Sequence, residues 1–236
     1  MGGAALGTRV SARRKPVSAP LTRVAVGSIG IFGGTFDPIH VAHLAVAQEA
    51  VEALDLERVV FVPAGQPPHK PGQPITSGAH RLAMVQLAIS GNDRFRFDRL
   101  ELDRDGPSYT VDTLEALGAA PEPGAPRPDL VLILSAEAFL ALPTWNEPRR
   151  VLDLARVAVA PRDGYPGADR SFVAEQFPDH LDRVVFLDGP RLRLSATELR
   201  ERAAAGRSLR YLVPDAVAAY IDDHAIYRNP RRNHES

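Results

Sequence analysis

Two histidines follow a glycine pair in the segment GGTFDPIHVAH, which runs from Gly33 to His43. The apolar run Ile29–Phe32 before it predicts a buried strand, and the spacing of apolar residues after it predicts a helix. Glycines let the backbone turn tightly and approach a ligand closely. Free N–H groups at a helix N-terminus suit a phosphate, to which imidazoles on one helix face can donate hydrogen bonds. The segment therefore predicts a phosphate site.

Other interpretations of the two histidines are open when the pair is taken alone. An isolated pair at this spacing is more often an ordinary turn, with its rings exposed or hydrogen-bonded in the core. Zinc pairs on helices use a four-residue spacing, and no third ligand has a suitable position. The full string around His40 and His43 favours phosphate chemistry, and we predict no metal held by protein side chains.

Ser195, Thr197 and Arg200 form a second candidate phosphate site, in the segment LSATELR. Hydroxyls and free N–H groups at a predicted helix start either cap the helix or bind phosphate oxygens. Arg200 lies one turn further along and can present a fork of donors to a phosphate. Alone, this segment favours a plain helix cap centred on Ser195. Beside the first motif, it favours phosphate binding.

Four further residues are candidates for contacts to a second substrate. His69 and Lys70 lie in a proline-rich segment, where solvated charges on a turn are the simpler interpretation. Trp145 is the sole tryptophan, and its proline and polar neighbours leave core packing and ligand stacking equally open. Thr110 begins a predicted helix and could serve only as its cap.

Apolar strand-like runs alternate with helical patterns from residue 29 onward. The predicted strands are Ile29–Phe32, Val59–Val62, Phe95–Leu102, Leu130–Leu134, Arg156–Ala160 and Val184–Leu187. The predicted helices are Val41–Leu54, Ala79–Ser90, Thr110–Leu117, Pro148–Leu154, one near 172–177, Ser195–Ala204 and Pro214–Asp222. Because the central strands are apolar throughout, we predict an α/β fold. It has a single doubly wound, mostly parallel Rossmann-like sheet with helices on both faces. Its ligands should bind where the strand order reverses.

The composition excludes several classes of protein. Of 236 residues, 44% are hydrophobic and 24% charged, as in ordinary globular proteins. Cysteine is absent, which excludes disulfides, thiolate metal sites and a cysteine nucleophile. A net charge of −1 argues against a general nucleic-acid partner. No apolar run approaches the length of a membrane span, so no membrane partner is expected.

The two ends of the chain differ from the region between them. Residues 1–28 are rich in Arg, Ser, Gly and Pro and contain no acid. This composition predicts a disordered N-terminal extension or a start codon placed too far upstream, with a transit peptide as the alternative. Residues 29–228 are predicted to form one folded domain that contains the candidate sites. The polar residues 229–236 are predicted to be a disordered tail.

The segment Gly33–His43 resembles the motif of the nucleotidyltransferase superfamily with an H-x-G-H pattern. Its GGTFDPIH form resembles bacterial nicotinate-nucleotide adenylyltransferases. The resemblance reaches to about Tyr227 through the segments PPHK, PSYTVDTL, LPTW and LSATELR. The chain departs from the family pattern in two places: Ala42 replaces a glycine, and the segment Ser135-Ala136-Glu137 replaces Gly-Ala-Asp.

The resemblance implies an enzyme that transfers AMP from ATP to nicotinate mononucleotide, giving nicotinate adenine dinucleotide and pyrophosphate in NAD synthesis. It implies direct in-line attack on the α-phosphorus, with His40 and His43 as catalytic residues and Mg²⁺ bound to the ATP. The implied ATP-binding residues are Gly33, Gly34, Thr35, Phe36, His40, His43, Ser195, Thr197 and Arg200. The implied acceptor-binding residues are His69, Lys70, Thr110 and Trp145, with Glu137 at the ribose.

Two other functions stay open. A sister adenylyltransferase would act on phosphopantetheine or another phosphorylated acceptor; Trp145 and the segment Pro107–Leu114 argue against it. A non-catalytic nucleotide-binding regulator could use the same fold, although the chain keeps both histidines and the polar residues of the second segment. We expect a cytoplasmic protein. The sequence leaves both a monomer and a homo-oligomer open.

Overall fold

A six-stranded sheet forms the centre of the computed structural model, which describes residues 27–66, 75–119 and 127–228. Its strands are β1 (Ile29–Gly34), β2 (Arg58–Pro63), β3 (Phe95–Phe97), β4 (Leu130–Ser135), β5 (Ala155–Ala160) and β6 (Val184–Phe186). Neighbouring strands are parallel, and their order across the sheet is β3-β2-β1-β4-β5-β6. The order reverses between β1 and β4, where α/β sheets bind their ligands.

Helices cover both faces of this sheet. They are α1 (Val41–Leu54), α2 (Gly78–Ile89), α3 (Thr110–Leu117), α4 (Ala136–Ala141), α5 (Pro148–Leu154), α6 (Arg170–Gln176), α7 (Ala196–Ala204) and α8 (Asp215–Asp223). Short 3-10 turns follow at Leu142–Thr144 and Pro178–Arg183. Within the described ranges, no helix combines the length and apolar character needed to cross a membrane.

Adjacent residues of β1 pack against helices on opposite faces of the sheet. Phe32 belongs to a buried cluster with residues of α1, α2, α7 and α8. Ile31, its neighbour, belongs to a second cluster with residues of α3, α4, α5 and α6. Successive side chains of a strand point to opposite faces, so a strand buried on both sides must be apolar throughout. The predicted doubly wound α/β fold is confirmed.

Most predicted elements agree with the structure, and α1, α3 and α5 have the predicted bounds. Helix α4 was not predicted, because its six residues follow β4 without a turn signal. The strand predicted over Phe95–Leu102 is wrong beyond Phe97. There the side chain of Asp98 accepts a hydrogen bond from the N–H of Leu100 at 2.8 Å, and this local bond turns the backbone.

The predicted extension and tail lie largely outside the described residues. Ser28, the last residue assigned to the extension, is buried and its hydroxyl donates a 2.6 Å hydrogen bond to Asp129. Ser28 therefore forms part of the fold. The predictions for residues 1–26 and 229–236 stay predictions.

Candidate active site

Two cavities adjoin at the carboxyl edge of the sheet, where β1 and β4 end. The larger has a volume of about 440 Å³, and its lining includes His40, His43, Glu137, Arg162, Ser195, Thr197 and Arg200. The smaller has a volume of about 230 Å³, and its lining includes Gly34, Thr35, Glu101, Thr110, Thr113 and Trp145. Gly33, Leu134 and Ala138 line both cavities. The two candidate phosphate segments thus meet in one cavity, and Thr110 and Trp145 meet in its neighbour.

The two histidines form a stacked pair at the start of α1. His40 is the N-cap and His43 lies in the first turn; their ring centroids are 3.7 Å apart with planes at 19°. The backbone N–H of His40 donates to Nδ1 of His43 at 3.2 Å. A neutral imidazole has one donor and one acceptor nitrogen, so the proton of neutral His43 lies on Nε2. Nδ1 of His40 is buried without a hydrogen-bond partner in the described residues.

Both rings are held in the neutral form. Burial, together with the positive charge of Arg162, lowers the pKa of His40 from 6.5 to about 4. Burial also lowers the pKa of His43 well below 6.5, assisted by His40 and Arg162. At neutral pH the pair therefore offers N–H donors to an incoming phosphate, rather than a fixed pair of cations.

The glycine pair ends strand β1 and does not form the turn after it. Gly33 and Gly34 are the last residues of β1, and neither has a positive φ. The left-handed residue is Phe36, with φ 49°, so the expectation of a turn at the glycines is corrected. A Cβ added at Gly33 would meet no atom within 4 Å. The missing side chain therefore leaves open space beside both cavities.

Phe36 supports the histidines from the core. Its ring is buried and meets the ring of His43 edge-on, with centroids 5.1 Å apart. Phe36 lines neither cavity, whereas Gly34 and Thr35 line the smaller one. The ATP contacts predicted for these three residues stay predictions. Phe36 therefore packs directly against one ring of the imidazole pair.

The second candidate phosphate segment begins α7 and lines the larger cavity together with the histidines. Ser195 is the N-cap: its hydroxyl accepts from the N–H of Glu198 at 3.2 Å, and the Glu198 carboxylate accepts from the N–H of Ser195. The guanidinium of Arg200 donates to the carbonyl of Asp37 at 2.8 Å and to Oγ1 of Thr197 at 3.2 Å. Ser195 therefore caps its helix and lines the cavity as well.

Glu137 lies in the first turn of α4 and is paired with Arg162. Their charged groups are 2.7 Å apart, and both side chains are partly exposed to the larger cavity. The preceding Ser135 caps α4, because its hydroxyl accepts from the N–H of Ala138 at 3.2 Å. The serine at this departure from the family pattern therefore provides a helix cap. Ala42, at the other departure, lines the larger cavity.

Arg162 is a site residue to which sequence reasoning gave no role. It influences the pKa of both histidines and contacts Glu137. The sequence could have indicated Arg162 as a site residue, because it comes two residues after the end of β5, at the edge where parallel sheets bind ligands.

The lining of the smaller cavity includes the ring of Trp145 and the hydroxyls of Thr110 and Thr113. Trp145 ends the 3-10 turn after α4; it packs against the apolar cluster of that sheet face and also lines the cavity. Core packing of the tryptophan is therefore confirmed, and ligand stacking stays a prediction. Thr110 is the first residue of α3, whose N-cap is Tyr109. Thr110 is therefore not the cap of this helix, and it lines the cavity.

Asp37 connects four parts of the chain through hydrogen bonds, next to Arg200 of the larger cavity. Its carboxylate accepts from the hydroxyl of Tyr227 at 2.5 Å and from the N–H of Thr76 at 3.1 Å. Its carbonyl accepts from Arg200. Arg81, which is buried, donates to the carbonyls of Thr35 and Thr76 at 2.8 and 2.9 Å. Sequence reasoning did not identify this network, since its members are far apart in the chain.

His69 and Lys70 lie outside the described residues, so their predicted acceptor contacts stay predictions. In the described ranges, no group of three or more His, Cys, Asp or Glu residues could hold a metal ion. Glu137 is the carboxylate among the described residues that line the larger cavity.

The cytidylyltransferase-like family model matches residues 31–202 of the chain. This range contains nearly all of the six-stranded sheet, the histidine pair and the second candidate phosphate segment. The chain belongs to the cytidylyltransferase-like family, whose match covers most of the sheet and both cavities.

Within that family, relatives are similar over almost their whole length. The chain is 48% identical over 200 residues to a probable nicotinate-nucleotide adenylyltransferase of Roseiflexus sp. (strain RS-1), covering 85% of this chain and 98% of the relative. It is 46% identical over 200 residues to one of Thermomicrobium roseum, covering 85% and 91%. A nicotinic acid mononucleotide adenylyltransferase of Plasmodium falciparum, solved with NaAD, shares the fold. Its TM-score is 0.68 at 17% identity, over 85% of this chain and 97% of that one.

Proposed function

We propose that this protein is a nicotinate-nucleotide adenylyltransferase, which transfers AMP from ATP to nicotinate mononucleotide. The products are nicotinate adenine dinucleotide and pyrophosphate. One observation carries the proposal beyond the family relationship: two cavities of different chemistry adjoin at Gly33. One contains a histidine pair and a helix start with hydroxyls, and the other contains a tryptophan. This arrangement suits two substrates that react where their phosphates meet.

In the proposed reaction, ATP occupies the larger cavity and the mononucleotide occupies the smaller one. A phosphate oxygen of the mononucleotide attacks the α-phosphorus of ATP, and the bond from that phosphorus to the bridging oxygen of the β-phosphate breaks. The electron pair of that bond leaves with pyrophosphate. No protein nucleophile takes part. The protein contributes positioning and charge stabilisation.

The histidines stabilise negative charge that develops on the α-phosphate. Neutral His43 carries its proton on Nε2, because its Nδ1 accepts from the backbone N–H of His40. That Nε2–H is the donor proposed for the phosphate. The unsatisfied Nδ1 of His40 is buried at the same place and would acquire a partner when substrate or water enters. Ser195, Thr197 and Arg200 bind the remaining phosphates from the opposite side. Glu137 is proposed at the ribose, where its contact with Arg162 has to rearrange.

Mg²⁺ enters this proposal as part of the substrate, MgATP, because that ion favours phosphate and water oxygens. Acceptor contacts from His69 and Lys70 complete the proposal for the site. Both substrates are metabolites of the cell interior, so a cytoplasmic location belongs to the same proposal.

A panel of acceptors tests the function. Purified protein with MgATP is given nicotinate mononucleotide, nicotinamide mononucleotide or phosphopantetheine, with pyrophosphate release followed and products identified by mass. We expect rapid release and nicotinate adenine dinucleotide with the first acceptor. Faster turnover of phosphopantetheine would indicate a sister adenylyltransferase. Nucleotide binding without pyrophosphate release would indicate a regulator.

A further inference from the structure

A buried carboxylate forms part of the wall of the smaller cavity. Glu101 is 7% exposed and lines this cavity together with Ser108, Thr113 and Trp145. The hydroxyl of Thr113 donates to Oε1 of Glu101 at 2.7 Å. The Ser108 hydroxyl and the N–H of Gly65 also lie beside this carboxylate and lower its pKa, and the N–H of Gly65 donates to Oγ of Ser108 at 3.2 Å. Hydroxyl and N–H groups around the carboxylate suit its ionised, acceptor-only form.

The negative charge of Glu101 has no ion-pair partner among the described residues. Arg104 lies near enough to lower the pKa of Glu101, but its nearest acid is Asp112, at 3.8 Å. The charge of Glu101 also raises the pKa of Arg81, but the guanidinium of Arg81 donates to backbone carbonyls. Burial has the largest influence and raises the pKa of Glu101. An ionised carboxylate in such a place is stabilised by a cationic ligand.

We propose that Glu101 is a specificity residue that recognises the positive charge on the pyridinium ring of the acceptor. This inference rests on the proposed function, because nicotinate mononucleotide carries a delocalised positive charge on its ring. A ring stacked on Trp145 lies in the same small cavity as Glu101. The opposite charges attract at short range, where little water screens them. A mononucleotide of the same size with a neutral ring gains no such attraction.

The same carboxylate also orients the ring. Glu101 repels the acid group of nicotinate, so we place that group away from Glu101, with Thr110 and the backbone near Trp145 as the candidate hydrogen-bond donors. Charge recognition and acid recognition are thus assigned to different parts of the wall. Trp145 adds to the preference for a cation through its ring face, so removal of Glu101 reduces the preference without abolishing it.

The test compares nicotinate mononucleotide with its reduced dihydropyridine form, which has the same substituents and a neutral ring. The values of kcat/KM are measured for both acceptors in the wild type and in Glu101→Gln, which keeps the side-chain size and removes the charge. We expect the wild type to prefer the charged ring. In Glu101→Gln this preference falls roughly tenfold or more, while KM for ATP is unchanged.

Two matched variants separate charge from shape. Glu101→Asp keeps the charge, so it retains the preference even where its absolute rates fall. Thr113→Val removes one hydrogen bond to the carboxylate and leaves the charge, so both acceptors lose rate together. If the glutamine variant loses rate equally for both acceptors, Glu101 only shapes the cavity and the proposal is overturned.

The wild-type comparison keeps the proposal testable if Glu101→Gln does not fold. A wild type without preference for the charged ring overturns the role of Glu101, while turnover of nicotinate mononucleotide leaves the proposed function intact. Turnover of a non-pyridine acceptor in place of both mononucleotides overturns the proposed function, and this inference falls with it.

Discussion

The hydroxyl of Tyr227 donates a 2.5 Å hydrogen bond to Oδ1 of Asp37, although the two residues are 190 positions apart. Asp37 belongs to the turn between β1 and the histidine pair, and its carbonyl accepts from Arg200. The C-terminal part of the described chain therefore holds the turn that presents His40. Burial and the adjacent carboxylate raise the pKa of Tyr227, which keeps the hydroxyl protonated as a donor.

Replacing Tyr227 with phenylalanine should lower the free energy of unfolding by about 1–3 kcal/mol, because the buried carboxylate of Asp37 loses a donor. Denaturant unfolding measures the change. Tyr211→Phe is the matched control, since Tyr211 is 77% exposed, and it should unfold like the wild type. Equal stability of the two variants would mean that the bond to Asp37 contributes little.

Replacing His43 with alanine should lower kcat by about 10²–10³, the usual cost of removing one preorganised donor to a developing negative charge. Steady-state kinetics with saturating ATP and acceptor measures it. The control is His224→Ala, which removes an exposed histidine of the same protein and should leave kcat unchanged. A folded His43→Ala enzyme with near-wild-type turnover would exclude His43 as the donor.

Stability should fall in acid partly because of His40. Its pKa is about 4 in the folded protein, against 6.5 without burial, so the unfolded chain binds the proton first as the pH falls. The stabilising contribution is complete above pH 6.5 and is lost between 6.5 and 4. At its limit it amounts to roughly 3 kcal/mol.

Unfolding free energies at several pH values in this window check that expectation. The acid loss should be smaller in His40→Asn than in the wild type, whereas His224→Asn should follow the wild type. An identical pH dependence in all three proteins would show that the pKa of His40 is not lowered.

The enzyme should prefer nicotinate mononucleotide to the nicotinamide form by several powers of ten, because donors aimed at a carboxylate reject an amide. We expect the flat ring of Trp145 to contact both acceptors alike. Trp145→Ala should therefore reduce kcat/KM for both and leave their ratio nearly unchanged. A ratio that collapses in this variant would assign the discrimination to Trp145 itself.

The fold and the larger cavity could be predicted because their signals are local. Apolar strands and helical spacing define the layers, and His40, His43, Ser195 and Arg200 lie in two short segments that begin helices. The carboxyl edge of a parallel sheet then brings those segments together. The same logic would have included Arg162, at the end of β5.

What could not be predicted depends on long-range contacts. Asp37 is defined by its bonds to Thr76, Arg200 and Tyr227, and no spacing in the sequence indicates them. Glu101 is likewise recognised only when Thr113 and Ser108 surround its carboxylate. The turn at Phe36 was missed, because glycines are the usual sign of unusual backbone angles and here they end a strand.

One-step transfer between the adjoining cavities is tested most directly by the stereochemistry at the α-phosphorus. ATP with a chiral α-phosphorothioate is reacted with nicotinate mononucleotide, and the configuration of the dinucleotide product is determined. A single in-line attack predicts inversion of configuration. Retention would require two displacements and a covalent adenylyl-enzyme, and it would contradict direct transfer in this site.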